Sequence, residues 1–518
     1  MTAASRPYLL FTVFTAGMVT LAVELSASRL LGNIFGTSNL VWANVIGLIL
    51  LYLAAGYFLG GRWADRSPHP RTFYGLLTVA AGLSGLVPLA ARPVLRFAAE
   101  AMATLDAAVA GGSFLAVLIL FSAPVTLLGC ASPFAIRLAI TDPAQAGRVS
   151  GRIYAISTLG SLVGTFSPVL IFIPWLGTTR TFLLFAGMLF AVAWLGLLAA
   201  DRRRAALALL MPAGVAVAAW FTLSGSLRPV EGLIPESEIE SEYNFIQVVQ
   251  RGQTRYLLLN EGQGIHSVYD PGRLETFGTW DYFLAAPHFN DPPARVESLA
   301  VVGLAAGTIP KQYTAVYGPI PIDGFEIDGA IVETGRRFFA MTEPNLNVHV
   351  VDGRWGLAHA ARRYSVIGVD AYRLPYIPWH LTTREFFQEA RARLADDGVL
   401  VINVGRTFTD RRLVEALAGT LRAVFPSVHA VDVPNSFNTI LYATARPSRA
   451  ESLAVNRARL PAGTHPLLQS VLDRAVQNLQ PDPPAGPVFT DDWAPIEQLT
   501  NALVIDFFLG GQAEQLLR

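Results

Sequence analysis

A chain of 518 residues is too long for one ordinary domain, and a mean hydropathy of +0.41 with only 15% charged residues is too apolar for a wholly soluble enzyme. Its 39 basic and 39 acidic residues cancel, which leaves no electrostatic footprint for nucleic acid. The one cysteine, Cys130, excludes disulfides within the chain and Cys-based zinc sites, and no metal site is expected.

Apolar runs fill the first ~225 residues, with lengths near the ~20 residues that a bilayer-spanning helix needs. They predict about seven spans, at 8–31, 39–60, 72–91, 112–130, 153–175, 180–200 and 205–225. The stretch 92–112 carries Arg96, Glu100 and Asp106 between apolar residues and reads as interfacial. The start, MTAASRPYLLF, has a long apolar segment without a small-residue cleavage site, so a retained helix is expected. Arginines cluster in alternate loops (Arg62, Arg66 and Arg71; Arg137, Arg148 and Arg152; Arg202, Arg203 and Arg204), which directs those loops to the cytoplasm. Seven spans then put the C-terminal half outside the cell membrane, and one span fewer reverses the side.

Glu24 and Arg29 fall in the first span, where ionisable groups are expensive. Two readings stay open for them, a pathway or substrate contact and a structural pair near the helix end. Gly56, Gly60, Gly61, Gly160 and Gly164 offer small surfaces for close helix packing, and Pro168 and Pro174 imply kinks. The loop GGRWADR resembles a loop between early helices of major-facilitator transporters, which keeps transport open.

After Leu227 the composition turns polar, and FIQVVQRGQTRYLLLNEGQGIHSVYDP alternates like a small antiparallel sheet with a turn at Gly252. WDYFLAAPHF, from Trp280 to Phe289, reads as an aromatic helix. From Val296 strands alternate with helices: VVGLAAG, GFEID, VVDGR, VIGVDAY and GVLVINVG, with VHAVDV and TILYATA as a closing pair. This is the order of a doubly wound parallel sheet with a ligand crevice at the strand ends. The implied division is a transmembrane domain (1–227), a β-rich subdomain with its linking helix (228–292), a Rossmann-like domain (293–450) and a C-terminal helical extension (451–518).

Chemistry gathers at those strand ends. Gly303 and Gly307, flanking Ala305, let backbone approach a ligand, and Glu326 arrives about 20 residues later, where a carboxylate can accept both ribose hydroxyls. Asp352, followed by Gly353, is a candidate for an adenine amino group, with an Asp-Gly turn as the alternative. Asp370 ends the fourth strand above the crevice, where it can hold an amine and remove its proton.

With ESEYNFIQVV, LNEG, FEID, VDG, VDAY and the late TDDWAPIE, the chain resembles the membrane-fused branch of the spermidine synthase family. The resemblance implies a multi-pass helical membrane domain followed by an α/β Rossmann-like domain of the class I methyltransferase and spermidine synthase kind. It implies aminopropyl transfer from decarboxylated S-adenosylmethionine to a diamine such as putrescine, with the donor as co-substrate and no permanently bound cofactor. Asp370 matches the catalytic aspartate, Glu326 and Asp352 match the carboxylates for ribose and adenine, and Tyr372 lies beside the acceptor. A homodimer through the soluble domain is an expectation of the same kind.

Departures are specific. The family's GGGDGG-like turn is GLAAG, with Ala305 and Ala306 and no acid, and DAYR places Arg373 where a second aspartate is usual. Trp280, Asp281 and Tyr282 replace a YHE segment, so Asp281 and Tyr282 are candidate acceptor-binding residues, Asp281 as an amine anchor, and His266 is a candidate proton relay beside the acceptor. Two other readings remain: a methyltransferase using S-adenosylmethionine on an anionic acceptor, and a catalytically silent nucleoside-binding, polyamine-binding or transport protein.

Overall fold

A computed structural model of the protein describes residues 5–35, 39–102, 108–223, 232–260, 264–372, 376–484 and 486–500. It divides into two compact units, Met1–Pro229 with Ile239–Phe245, and Val230–Glu238 with Ile246–Arg518.

The first unit is helical: α1 (Arg6–Phe35), α2 (Asn39–Arg66), α3 (Pro70–Met102), α4 (Ala108–Gly129), α5 (Ala131–Ala139), α6 (Ala146–Ser167), α7 (Ile173–Ala200), α8 (Arg202–Ala208) and α9 (Leu210–Leu223). A helix pairs its own backbone N–H and C=O groups, so long apolar runs with few polar side chains can bury their backbone in this form. Six segments among the described residues are long and apolar enough to cross a membrane. The expectation was about seven, and the difference lies at Pro143–Ala200, one stretch of 58 residues. A π-helical turn at Pro168–Phe172 and a left-handed Gly177 (φ 79°) interrupt it. At 1.5 Å per residue the stretch measures about 87 Å along its axis, enough for two crossings of a ~30 Å hydrocarbon layer.

The stretch expected to be interfacial is largely helical, because α3 runs on to Met102; Asp106 lies outside the described residues. Gly160 and Gly164 of α6 lie against the backbone of α1, where an added Cβ would stand 2.0 Å from the Phe14 carbonyl and 1.9 Å from that of Met18. Any larger residue would push the helices apart. Arg29 pairs with Glu240 and also donates to the Ser241 and Glu242 carbonyls. Glu240 in turn accepts from the Thr178 amide at 2.8 Å, just past the Gly177 break.

The second unit opens with a small sheet in the order β1 (Ile234–Glu240), β2 (Phe245–Arg251), β3 (Thr254–Leu259) and β4 (Ile265–Tyr269). Residues 261–263, which include the last two of the LNEG turn, are outside the described residues. Thr279–Phe289 is a 3-10 helix rather than an α-helix, and every residue from Trp280 to Phe289 is buried.

The main sheet contains β5 (Leu299–Val302), β6 (Ile322–Glu326), β7 (Leu346–Val350), β8 (Tyr364–Val369), β9 (Leu394–Gly405), β10 (Ser427–Asp432), β11 (Asn438–Thr444) and β12 (Leu479–Gln480). Their order is β12-β10-β11-β9-β8-β5-β6-β7. The crossover helices are α10 (Thr308–Tyr317), α11 (Gly329–Phe338), α12 (Gly353–Ala358), α13 (Arg384–Arg393) and α14 (Arg412–Arg422). β7, β6, β5, β8 and β9 are parallel, as expected. β11 departs from that pattern and runs antiparallel to both β9 and β10. The β10–β11 connection is a hairpin loop, too short for the dozen or so residues that a parallel crossover needs.

β8 is buried along its whole length, consistent with a sheet covered on both faces. The C-terminal helices α15 (Ser452–Ala458) and α16 (Pro466–Gln477) complete that cover: Leu467, Leu468, Val471 and Leu472 join the core that holds Trp280–Phe289. Farther on, Phe489 and Ile496 bury themselves beside α13 and α14. Residues 501–518 of the expected extension are outside the described residues.

Candidate active site

β5, β6 and β7 fill the sheet in one direction and β8 and β9 in the other, so the strand order reverses between β5 and β8. A crevice opens at the carboxyl ends of strands at such a reversal. Register aligns its members: Val302 pairs with both Phe325 and Val369, and the next residues are Gly303, Glu326 and Asp370.

The GLAAG turn is built on left-handed backbone, with φ of 86° at Gly303, 48° at Ala305 and 86° at Gly307. A Cβ at Gly303 would stand 2.5 Å from the Asp370 carbonyl and 2.7 Å from the Ala371 backbone. The glycine is thus required twice, by conformation and by the approach of β8. Ala305 holds a conformation that costs a non-glycine residue about 1–2 kcal/mol, a local strain of the kind found where a chain serves a ligand. Its amide donates to Glu326 Oε2 at 2.9 Å, and the Ala306 amide donates to Ser267 Oγ at 3.0 Å.

Glu326 is buried; its other oxygen accepts from the Asp328 amide at 3.1 Å. Burial pushes its carboxyl up to about 7, against the opposing pull of these backbone N–H groups. Asp370 Oδ1 accepts from Asn403 Nδ2 at 2.9 Å. Part of Asp370 still reaches solvent, yet desolvation prevails over hydrogen bonding and pushes its carboxyl up to about 6. Asn403 is itself held, by Asn438 Nδ2 on its side-chain oxygen at 2.9 Å and by the Tyr372 hydroxyl on its carbonyl at 3.0 Å. Tyr372 therefore joins the Asp370 network; burial, then the Asp370 charge, drives its hydroxyl pKa upward. Arg373 lies outside the described residues.

Asp352 caps α12 by accepting from the Trp355 amide at 3.0 Å and holds His380 Nε2 at 2.9 Å. The His380 bond is the main cause that lowers its carboxyl pKa. Gly353 is seated on β5, with a hypothetical Cβ only 2.5 Å from Val302 Cγ1. His266, on β4 next to Ser267, has a buried Nε2 without a hydrogen-bond partner, and burial lowers its ring to about 4. It is neutral at physiological pH.

Two expected acceptor residues have other duties. Asp281 is completely buried and takes five hydrogen bonds: from the Thr276 amide and hydroxyl, the Phe277 amide, Gln312 Nε2 and Arg474 Nη2. A carboxylate so filled leaves little acceptor capacity for an incoming amine, and in this structure Asp281 ties the core. Tyr282 is likewise a core residue, stacked under the Arg474 guanidinium, with its hydroxyl raised to about 12 by burial.

Asn403 and Asn438 were not anticipated. Asn403 is marked in sequence only as a polar residue interrupting an apolar strand, VINVG, and Asn438, at the start of β11, carries no such mark. Among the described residues no cluster of His, Cys, Asp or Glu has the makings of a metal site.

The family model described as the spermine/spermidine synthase domain matches residues 319–445. A probable polyamine aminopropyl transferase of Bifidobacterium longum is 32% identical over 279 residues, which cover 51% of this chain and 61% of that protein. A polyamine aminopropyltransferase of Vibrio vulnificus is 33% identical over 155 residues, covering 29% of this chain and 50% of its own. The chain thus spans less than two thirds of the length of either relative. A probable spermidine synthase structure from Corynebacterium glutamicum aligns over 48% of this chain and 95% of its own, with 19% identity and a TM-score of 0.38. Residues 319–445, in the C-terminal part of the chain, are thus similar to the spermine/spermidine synthase domain, and the polyamine aminopropyltransferase relatives share that similarity.

Proposed function

We propose that the second unit transfers an aminopropyl group from decarboxylated S-adenosylmethionine to a diamine such as putrescine, or to an amine acceptor of altered shape. The observation that carries this reading is the pair of enclosed carboxylates, Glu326 and Asp370, on either side of Gly303 at the strand reversal. Glu326 suits ribose hydroxyls, and Asp352 with Gly353 suits the adenine edge, in the places the resemblance gives them. Asp370 suits the acceptor nitrogen.

The reaction needs alignment and proton removal more than covalent help. The acceptor nitrogen's lone pair attacks the methylene carbon bonded to the sulfonium. A C–N bond forms as the C–S bond breaks, and its electron pair leaves with sulfur as a neutral thioether nucleoside. The proton shed by the amine passes to Asp370 and then to solvent. Because Asp370 sits near 6, it is ionised at physiological pH and ready to accept. Asn403 fixes its direction. With Ala305 and Ala306 in the first turn and Asp281 held in the core, fewer acids are left for a second ammonium, which is why an amine acceptor of altered shape stands beside putrescine in this reading.

We also propose that the first unit holds the protein in the cell membrane as a multi-pass protein, a reading supported by its six long apolar segments. Carbonate extraction of membranes tests it; release of the chain into the soluble fraction refutes it. A reporter fused after Arg518 tells which side the second unit faces.

Calorimetry on the full chain in detergent, with decarboxylated S-adenosylmethionine, S-adenosylmethionine and putrescine, tests the enzymatic reading. Donor binding followed by detection of an aminopropylated product is expected. Preference for S-adenosylmethionine would turn the reading to methyl transfer, and binding of neither nucleoside would remove both.

A further inference from the structure

The late TDDWAPIE segment is absorbed by none of the chemistry above, yet its contacts lead back to the donor side of the crevice. Phe489 and Ile496 anchor it in the core, and Arg384 donates its amide to the Phe489 carbonyl at 2.9 Å. Between those anchors, Asp491 meets Arg354 in a two-pronged contact, with Nη1 to Oδ1 at 2.8 Å and Nη2 to Oδ2 at 2.9 Å. Thr383 Oγ1 adds a third donor to Asp491 at 2.7 Å.

Arg354 lies two residues beyond Asp352 on the short helix α12. Its other prong grips Glu389 of α13 at 2.7 and 2.9 Å, and its Nη1 reaches the His380 carbonyl at 3.2 Å. His380 in turn holds the Asp352 carboxylate. The helix is seated directly behind the strand tips: a Cβ at Gly356 would stand 2.4 Å from the Phe325 ring, one residue before Glu326. A six-residue helix has little stability of its own, so its placement depends on such tertiary contacts. Bidentate Arg–carboxylate pairs are the contacts best suited to fix it.

We propose that Asp491, acting through Arg354, is a positioning residue for the donor nucleoside: the segment 486–500 clasps α12 and so sets where Asp352 meets the ligand. This rests on the nucleoside-donor reading given above. The clasp acts on donor affinity and leaves the Asp370 side of the crevice alone.

The test uses the full chain in detergent with Asp491→Asn, which keeps shape and loses charge, and Arg354→Lys, which keeps charge and loses the fork. Donor Kd by calorimetry, and donor KM against kcat, are expected to rise by about five- to tenfold with kcat at saturating donor unchanged, the usual scale for a mutation acting through a network. Asp491→Glu should recover most of the affinity. A donor Kd unchanged in both variants overturns the clasp, as does a fall in kcat with KM intact. An unaltered chain that binds no nucleoside overturns the parent reading and the clasp together, so the two failures are told apart by the unaltered protein.

Discussion

Replacing Asp370 with Asn removes a charge and a base while keeping the shape. In the native protein Asp370 Oδ1 accepts from Asn403 at 2.9 Å, and an amide oxygen can keep that bond. A positioned base is worth about 10²- to 10⁴-fold in rate, or about 3 to 5 kcal/mol of barrier. We therefore expect kcat for aminopropyl transfer to fall about a thousandfold, with donor Kd within about twofold of the unaltered value. Mass-spectrometric detection of product, with calorimetry of donor binding on the same sample, measures both.

The pH dependence carries the same signature. Burial raises Asp370 from 3.8 to about 6, so activity should climb as pH rises through about 6 and level above it, and the Asn variant should lose that limb. Stability runs the other way. Because the folded value lies above the ordinary one, the stabilising contribution of Asp370 is fully present below about 4 and is lost as pH rises through about 6. That loss is at most about 3 kcal/mol for two pKa units, less whatever solvent contact remains, so the Asn variant should melt higher than the native protein at about pH 8. An unchanged rate with donor binding intact refutes Asp370 as the base. A lower Tm at that pH refutes the burial argument.

Glu326→Gln should weaken donor binding about tenfold or more, since ribose hydroxyls lose an ionised acceptor. In the native protein donor affinity should tighten as pH rises through about 7, and calorimetry across pH should show the variant flat. Gly303→Ala meets both a left-handed φ of 86° and the Asp370 carbonyl, so thermal melting should show a loss of about 2 kcal/mol or more together with lost donor binding; a normal Tm with normal affinity would count against the turn geometry. Asp281→Ala takes a buried acceptor from Arg474, which keeps Glu275 at 3.0 Å, and leaves Gln312 and the 276–277 turn without theirs; melting should show a loss of about 2–4 kcal/mol. If the variant instead folds normally and shows a raised acceptor KM alone, Asp281 is an amine anchor after all.

The cadence of strands, turns and helices after Val296, and the carboxylates at the strand tips, were legible in sequence because each is local: an apolar run, a glycine turn, an acid at a fixed place beyond it. Apolar length likewise announced the helical half, though not how Pro168 and Gly177 join two expected spans into one interrupted stretch. Strand order could not be read that way. It brings Asn403 to Asp370 and lets Tyr372 reach the Asn403 carbonyl, and it turns β11 against its neighbours. Asp281 shows the difference most plainly. Beside Trp280 and Tyr282 it looked like a substrate acid, but Arg474, 193 residues later, fills its coordination in the core. Sequence determined which groups are able to carry charge and where chain direction changes. Tertiary structure decided which of those charges stay free for a ligand, because burial and partners drawn from distant segments set the cost of leaving each one unpaired.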